Sequence, residues 1–301
     1  MTELAPVVLF TYKRIDTLKK TVEALKKNKL AIKTDLFVFS DAAKNENDKE
    51  AVDNVRSYIR SINGFKTIKI KESLLNKGLA CSIIEGVSEV LAHHKKVIVL
   101  EDDLVSSANF LNYMNAALEF YNAKKKVFSI TGFSIPIKKH SQTGDIYFTL
   151  RSSSWGWATW NDRWSDIDWE VKDYNEFKHD KENRKRFSKM GSDMANMLDR
   201  QMNGEINSWA IRWCYYQFKN NLFSVHPLVS KVENVGFNSQ DASNTKEKYN
   251  RYRTILDDGE KTNFKFTNDI SLNPKIISQF VKPFSIVTRI KYKLIHFLFK
   301  S

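Results

Sequence analysis

The sequence predicts an α/β protein, with a mostly parallel, Rossmann-like sheet flanked by helices. Short aliphatic runs alternate with stretches whose apolar residues recur every three or four positions, and this alternation continues to Asp103. The run at residues 97–100 is wholly aliphatic, which is typical of a strand buried on both faces of a parallel sheet. Because strands that alternate with helices are joined by right-handed crossovers, neighbouring strands are expected to run in the same direction.

The elements follow in order along the chain. The predicted strands of the first half are residues 7–10, 36–39, 67–70 and 97–100, with a further strand at 127–130. Four helices are predicted from apolar residues at helical spacing, at about residues 16–25, 52–59, 79–90 and 110–121. Asn207 or Ser208 is expected to cap a later helix. The highly charged residues 173–189 are expected to form a solvated helical insertion or, alternatively, a mobile lid.

Composition limits the class of protein. The chain has 301 residues, of which 42% are hydrophobic, so it can form a substantial core. Cys81 and Cys214 are its two cysteines, too few for a disulfide framework, and a reducing compartment is expected. The first strand begins almost at once, so no cleavable signal is expected. No apolar run reaches the roughly 20 residues of a membrane-spanning helix.

Close to half of the net charge of +13 lies near the C-terminus, where residues 270–301 contain six Lys or Arg residues and no acid. Apolar residues there recur every three or four positions, and Pro283 is expected to divide the segment into two helices. A basic amphipathic helix favours contact with an anionic membrane surface, and a helix docked on its own domain is the alternative. Because the excess charge is not interleaved with exposed aromatics, nucleic-acid binding is not expected.

Three acids follow the fourth strand, namely Glu101, Asp102 and Asp103. Successive side chains on a strand point to opposite faces, so Glu101 and Asp103 are expected on one side and Asp102 on the other. Ligands of open α/β sheets bind beyond the carboxyl ends of the strands, and carboxylates there suit Mg²⁺ or Mn²⁺, with a diphosphate completing the coordination. A solvated acidic turn is the alternative. The chain lacks both the GxGxxG and the GxxxxGK[ST] motif, which disfavours a dinucleotide fold and a P-loop enzyme.

A tryptophan-rich segment, residues 152–160, contains Trp155, Trp157 and Trp160 beside Gly156. Tryptophan rings can stack on the faces of sugars, and the neighbouring hydroxyls can hydrogen-bond to them. The alternative is that these rings fill a core beneath a loop.

Six segments together resemble bacterial glycosyltransferases of the GT-A fold, in the branch similar to N-acetylglucosaminyltransferase I. They are residues 9–14 (LFTYKR), 39–41 (FSD), 76–80 (NKGLA), 100–103 (LEDD), 155–160 (WGWATW) and 208–213 (SWAIRW). The resemblance implies a nucleotide-sugar donor, with UDP expected as the nucleotide. It also implies Asp103 as the direct ligand of Mn²⁺ or Mg²⁺. The donor-binding residues that it implies are Thr11, Tyr12, Arg14, Asp41, Asn76, Lys77, Glu101 and Asp102. The acceptor-binding residues that it implies are Trp155, Gly156, Trp157 and Trp209.

Transfer with inversion also needs a carboxylate that takes the proton of the acceptor hydroxyl. The resemblance places an acid just before the Trp209 helix, but the residue here is Asn207, which cannot act as a base. Glu205 is the nearest carboxylate and the first candidate, and Asp193 is the second. Asn238, Asp241 or Asn244 is a further, weaker candidate for a contact to metal or diphosphate.

The sequence thus predicts a metal-dependent glycosyltransferase that extends a glycan or lipid-linked acceptor in surface polysaccharide synthesis. It is expected in the cytoplasm, peripheral to the inner face of the membrane. The expected organisation is a nucleotide-binding half at residues 1–104, an acceptor half at 105–268 and a membrane-associating tail at 269–301. The alternatives are a sugar-nucleotide nucleotidyltransferase and a non-catalytic, membrane-attached carbohydrate-binding protein.

Overall fold

The computed structural model of the chain describes residues 3–138, 144–236, 252 and 254–298. The strands in these residues are β1 (Val7–Thr11), β2 (Asp35–Ser40), β3 (Thr67–Glu72), β4 (Lys96–Glu101), β5 (Leu104–Ser106), β6 (Val127–Thr131), β7 (Ile146–Thr149), β8 (Trp157–Trp160), β9 (Phe223–Pro227) and β10 (Val232–Asn234). The helices are α1 (Ile15–Lys26), α2 (Lys49–Ile59), α3 (Leu79–Leu91), α4 (Phe110–Phe120), α5 (Asn161–Trp164), α6 (Tyr174–His179), α7 (Lys181–Phe187), α8 (Met194–Met202), α9 (Trp209–Lys219), α10 (Pro274–Phe280) and α11 (Ile286–Leu298).

The main sheet has eight strands in the order β3-β2-β1-β4-β8-β6-β9-β7. The first four run parallel to one another, β6 and β9 form a further parallel pair, and β8 and β7 run antiparallel to their neighbours. The predicted mostly parallel α/β sheet is therefore confirmed. The five predicted strands and the predicted helices of the first half all form. The apolar periodicity of these elements matches the faces that the sheet buries, except in β3, which is largely exposed.

Hydrophobic side chains cover both faces of the sheet. Along β1, Val7 and Leu9 face a layer that includes α1, α2 and α4, whereas Val8 and Phe10 face α3, α5 and α9. β4 is the fourth of the eight strands, so its end lies in the middle of the sheet. In the parallel register Phe10 on β1 lies opposite Glu101 on β4. This arrangement places the acidic residues after β4 between helices on both sides.

A small second sheet leaves the main one directly after the acidic residues. Its strands β5 and β10 pair antiparallel, with Leu104 opposite Asn234. The chain thus returns, about 130 residues later, to lie beside Asp103, where the Val235 N–H donates to the Asp103 carbonyl at 2.9 Å. Residues 232–236 consequently form one wall of the acidic site.

The tryptophan-rich segment contains strand β8, and it is not the loop that the sequence suggested. β8 is hydrogen-bonded to β4 on one side and β6 on the other, and all four of its residues are buried. Because both of its faces are covered, no apolar–polar alternation marks it as a strand.

The predicted tail divides at Pro283, as expected, but its first helix does not face a membrane. Ile276 and Phe280 of α10, and Phe284 after it, are buried in the main core, with the Phe280 ring 6.1 Å from the ring of Tyr147 on β7. The docked alternative therefore holds for α10, because its apolar positions fill the main core. Among the residues that the structure describes, every helix is too short or too polar to cross a bilayer.

Candidate active site

The carboxyl ends of β1, β2 and β4 meet at one edge of the sheet, as the parallel order requires. The Asp41 N–H donates to the Thr11 carbonyl at 3.1 Å, which joins the loops that follow β1 and β2. Thr11 itself is buried, and its hydroxyl donates to the Phe39 carbonyl at 3.4 Å. Thr11 was predicted to bind the donor, but its side chain instead ties β1 to β2.

Arg14 bridges two of the three acids at this edge. Its Nη1 lies 3.0 Å from Asp103 Oδ2, and its Nη2 donates to Asp102 Oδ1. The Tyr12 N–H donates to the other oxygen of Asp102 at 3.2 Å. Both oxygens of Asp102 therefore accept hydrogen bonds from the loop after β1, whereas Asp103 has one oxygen paired with Arg14.

The third acid, Glu101, is half-buried, and no described residue hydrogen-bonds to its carboxylate. Burial and then the negative charges of Asp103 and Asp102 raise the pKa of Glu101 well above its ordinary range. Burial also raises the pKa of Asp102 to about 6, although Arg14 opposes the change. Asp102 and Asp103 thus share one arginine, and together they carry more negative charge than that arginine offsets.

These acids fit a divalent cation that has other ligands as well. In the described parts of the chain, no group of three or more His, Cys, Asp or Glu side chains could hold a metal ion. Mg²⁺ commonly binds to proteins through one or two carboxylates, with substrate phosphates and water as the remaining ligands. Hard carboxylate oxygens and unbalanced negative charge are suited to that mode.

Asp41 joins the loop after β2 to the start of α3. Its carboxylate accepts from the backbone N–H groups of Lys77 at 3.0 Å, Gly78 at 2.9 Å and Ala42 at 2.9 Å. Asn76 returns the contact by donating its side-chain amide to the Ala42 carbonyl at 2.7 Å. Asp41 and Asn76, both predicted to bind the donor, therefore connect the loop after β2 with the loop before α3. Lys77, also predicted to bind the donor, forms an ion pair with Glu85 on α3.

Sequence reasoning missed Asp48, which fixes the tyrosine of this edge. The Tyr12 hydroxyl donates to Asp48 at 2.7 Å and accepts from the Lys44 N–H at 3.0 Å. Lys13 also contacts Asp48, at 2.9 Å. The polar residues between β2 and α2 indicate a loop near this edge, but nothing in the sequence indicates which acid of that loop contacts Tyr12.

The loop before α9 brings Asn207 to the same edge. Its amide nitrogen lies 3.8 Å from the position that a Cβ atom on Gly78 would take. Ser208, one of the two expected caps, begins α9 by accepting from the Ile211 N–H at 3.4 Å. Glu205 is exposed and contacts Arg200 at 3.2 Å, on the side of α8.

Asp193, the second candidate base, is a structural residue. It is buried and forms a two-contact ion pair with Arg151, with distances of 2.9 and 3.0 Å. Burial raises the pKa of Asp193, but the Arg151 guanidinium more than offsets this and holds the pKa below its ordinary value. Since both oxygens are paired with Arg151, Asp193 has no unpaired oxygen to accept a proton in this structure, and its catalytic role stays a prediction.

Two of the predicted acceptor-binding tryptophans are also core residues. Trp157 and Trp209 are buried, with their rings 5.0 Å apart in a cluster that includes Trp213. Neither ring can stack on a sugar, because helices and strands enclose both of them. Trp155 is partly exposed and packs against the ring of Phe133 at 4.8 Å.

Gly156 contributes close packing at this wall of the site. Its φ angle is 58°, and a Cβ atom there would lie 2.8 Å from the Cγ1 of Val232 on β10. Gly156 was predicted to contact the acceptor, and the structure shows that it allows β10 to approach. Asn238, Asp241 and Asn244 lie outside the described residues.

No family model matches the chain, and no curated protein matches it significantly. Among solved structures, S. aureus TarS is similar over 55% of this chain and 30% of its own, with 14% identity and a TM-score of 0.37. The mannosyltransferase PcManGT from Pyrobaculum calidifontis, in complex with GDP-Man and Mn²⁺, is similar over 52% of this chain and 45% of its own, with 13% identity and a TM-score of 0.35.

A UDP-glucose pyrophosphorylase complexed with UDP-glucose is similar over 74% of this chain and 90% of its own, with 11% identity and a TM-score of 0.37. The match to the two transferases spans less than half of the length of either. TM-scores and identities at this level establish neither a family nor a reaction for this chain.

Proposed function

We propose that the chain is a metal-dependent glycosyltransferase of the GT-A type, which moves a sugar from a nucleotide-sugar donor to a hydroxyl of a glycan or lipid-linked acceptor. One observation supports this above the others. Glu101, Asp102 and Asp103 project from the end of the central strand β4, at the edge where the loops after β1 and β2 and the start of α3 converge. Such an edge is where open α/β sheets bind nucleotides.

The donor is proposed to be a UDP-sugar held by the loops of the first half. Arg14 presents a planar guanidinium that suits phosphate oxygens. Tyr12 offers a ring already fixed by Asp48, and Glu101 offers a carboxyl group for ribose hydroxyls. Asp41 and Asn76 act by holding the loops in place. Mn²⁺ or Mg²⁺ at Asp103 would supply positive charge against the diphosphate leaving group.

The acceptor side is proposed to lie between Trp155, the loop before α9 and the wall formed by β10. During transfer the bond from the sugar to the diphosphate breaks, a bond to the acceptor oxygen forms, and the hydroxyl proton passes to a base. Glu205 remains the proposed base, because Asn207 has no carboxylate and Asp193 is buried in its pair with Arg151, whereas Glu205 is exposed. The surface polysaccharide role and the choice between hexosyl and N-acetylhexosaminyl donors belong to the same proposal.

The second tail helix, α11, is proposed to rest on the anionic inner surface of the membrane. Its exposed apolar side chains fall on one face at 3.6 residues per turn. These side chains are Ile286, Val287, Ile290 and Leu294, each at least 50% exposed. Lys291 and Lys293 flank that face on its two sides, the arrangement that interfacial helices use.

Vesicle co-sedimentation tests this contact with a matched pair of variants. Ile290→Asp is expected to abolish binding to vesicles that contain anionic lipid. Ile32→Asp, at an apolar side chain of similar exposure far from the tail, is expected to leave binding intact. Equal binding by both variants would overturn the membrane role of α11.

Nucleotide binding and turnover test the central proposal. UDP with Mn²⁺ is expected to raise the melting temperature in proportion to its saturation, and Asp103→Ala is expected to lose both this shift and sugar transfer. Undiminished transfer by Asp103→Ala would remove the metal role. Release of pyrophosphate from a nucleoside triphosphate and a sugar phosphate would instead favour the nucleotidyltransferase alternative. Glycan binding without turnover of any donor would favour the binding protein.

A further inference from the structure

Arg14 holds a positive charge against one carboxylate oxygen of Asp103, the proposed metal ligand. Arg14 Nη1 lies 3.0 Å from Asp103 Oδ2, while Nη2 holds Asp102. The three side chains are only 4–16% exposed, so this pairing lies in a water-poor setting where a charge contact is strong. Any cation that binds to Asp103 through Oδ2 must therefore replace the guanidinium there.

The main chain closes the other side of that oxygen. A Cβ atom on Gly236 would lie 2.5 Å from Asp103 Oδ2 and 2.9 Å from Arg14 Nη1, so only glycine lets the backbone pass this close. The Val235 N–H donates to the Asp103 carbonyl at 2.9 Å and holds this segment against the pair. Asp103 Oδ2 is thus enclosed by Arg14 on one side and residues 235–236 on another.

We infer that Arg14 keeps the metal site closed until the donor diphosphate arrives, so that metal and nucleotide bind with positive coupling. This inference rests on the proposed function, which supplies the metal and the diphosphate. The diphosphate offers Arg14 a second planar, bidentate anionic partner, which draws the guanidinium away from Asp103. It also supplies the cation ligands that the described residues lack. Arg14 is therefore a positioning residue for the metal.

Calorimetric titrations of Mn²⁺, with and without saturating UDP, measure this coupling directly. In the wild type, UDP is expected to tighten Mn²⁺ binding by about tenfold or more, within the usual range of coupling between two sites. Mn²⁺ must tighten UDP binding by the same factor, because coupling between binding sites is reciprocal. In Arg14→Gln, Mn²⁺ alone is expected to bind about tenfold more tightly than to the wild type, and the coupling is expected to shrink.

Arg60→Gln is the matched control. Arg60, directly after α2, also makes two contacts to acid, in its case to both oxygens of Glu72 on β3 at 2.9 and 2.7 Å, at an exposed site. Its removal is expected to leave both Mn²⁺ titrations unchanged. If Arg14→Gln does not fold, Arg14→Lys serves instead, because one ammonium cannot bridge Asp102 and Asp103 as the guanidinium does.

The outcomes separate this inference from the proposed function. Unchanged affinity for Mn²⁺ alone in a folded Arg14 variant, or wild-type Mn²⁺ binding that ignores UDP, would overturn the role of Arg14 and leave the transferase proposal standing. Absence of Mn²⁺ binding with every nucleotide, in wild type and variant alike, would overturn the metal-dependent transferase and this inference with it.

Discussion

Arg151 and Asp193 form a buried ion pair that joins β7, α8 and the C-terminal segment. Both carboxylate oxygens are paired, and the guanidinium also lies 4.0 Å from the centre of the Phe284 ring. The Ser192 N–H donates to the Phe284 carbonyl at 3.1 Å, which fastens the same corner. The pair therefore holds the chain after α10 against the segment after β7 and the start of α8.

Asp193→Ala is expected to destabilise the protein by about 3–5 kcal/mol, because it leaves the buried Arg151 charge without a partner. Urea unfolding followed by circular dichroism measures this loss. Asp199→Ala is the control, since Asp199 pairs with Arg184 at a half-exposed site and its removal should cost roughly 1 kcal/mol or less. A stable Asp193→Ala that has lost transfer activity would restore the catalytic assignment.

Asp41→Ala is expected to weaken UDP binding by about tenfold, equivalent to ~1.4 kcal/mol, through the loop and not through a lost contact to UDP. Without the carboxylate, the Lys77 and Gly78 N–H groups lose their acceptor, and the start of α3 frays. Calorimetry with UDP tests this. Asp35→Ala, at the opposite end of the same strand, should leave UDP affinity unchanged.

Glu205→Gln is expected to lower kcat by about 10²- to 10⁴-fold, the usual contribution of a general base. Asn207→Asp in that background should restore part of the rate, because it places a carboxylate beside Gly78 at the edge of the site. Steady-state rates across pH, at saturating donor, give the comparison. Wild-type activity in Glu205→Gln would show that the proton goes elsewhere.

His226 makes folding sensitive to acid. Its ring stacks on Tyr147, and its Nδ1 lies 2.9 Å from the Phe133 carbonyl. Burial lowers the pKa of His226 to about 4, although contacts to two carbonyls oppose the change. The unfolded chain therefore binds a proton that the folded chain does not between pH 6.5 and 4. Stability should fall by about 3 kcal/mol as pH decreases through this window and level off below it.

Urea midpoints measured from pH 7 to pH 3.5 test this dependence on His226. His226→Asn should lose less stability over the same window, because asparagine takes up no proton. If the urea midpoints of the wild type and His226→Asn fall equally with pH, the acid sensitivity arises from other groups.

The sequence encoded the first half of the fold well. Apolar residues at spacings of two or of three and four specify which face of a strand or helix is buried, and this information is local. The position of Glu101, Asp102 and Asp103 at the end of β4 was also predictable, because the change from an aliphatic run to acids shows where the buried strand ends. β8 escaped prediction because a strand covered on both faces carries no alternation.

The partners of the polar side chains depended on tertiary structure alone. Arg14 meets Asp103 across 89 positions, and Asp41 meets Gly78 across 37. Trp157 and Trp209 likewise became core residues because β8 enters the sheet and α9 packs on it. Sequence periodicity sets the face on which a side chain lies, whereas the order of the strands decides which distant charge or ring meets it there.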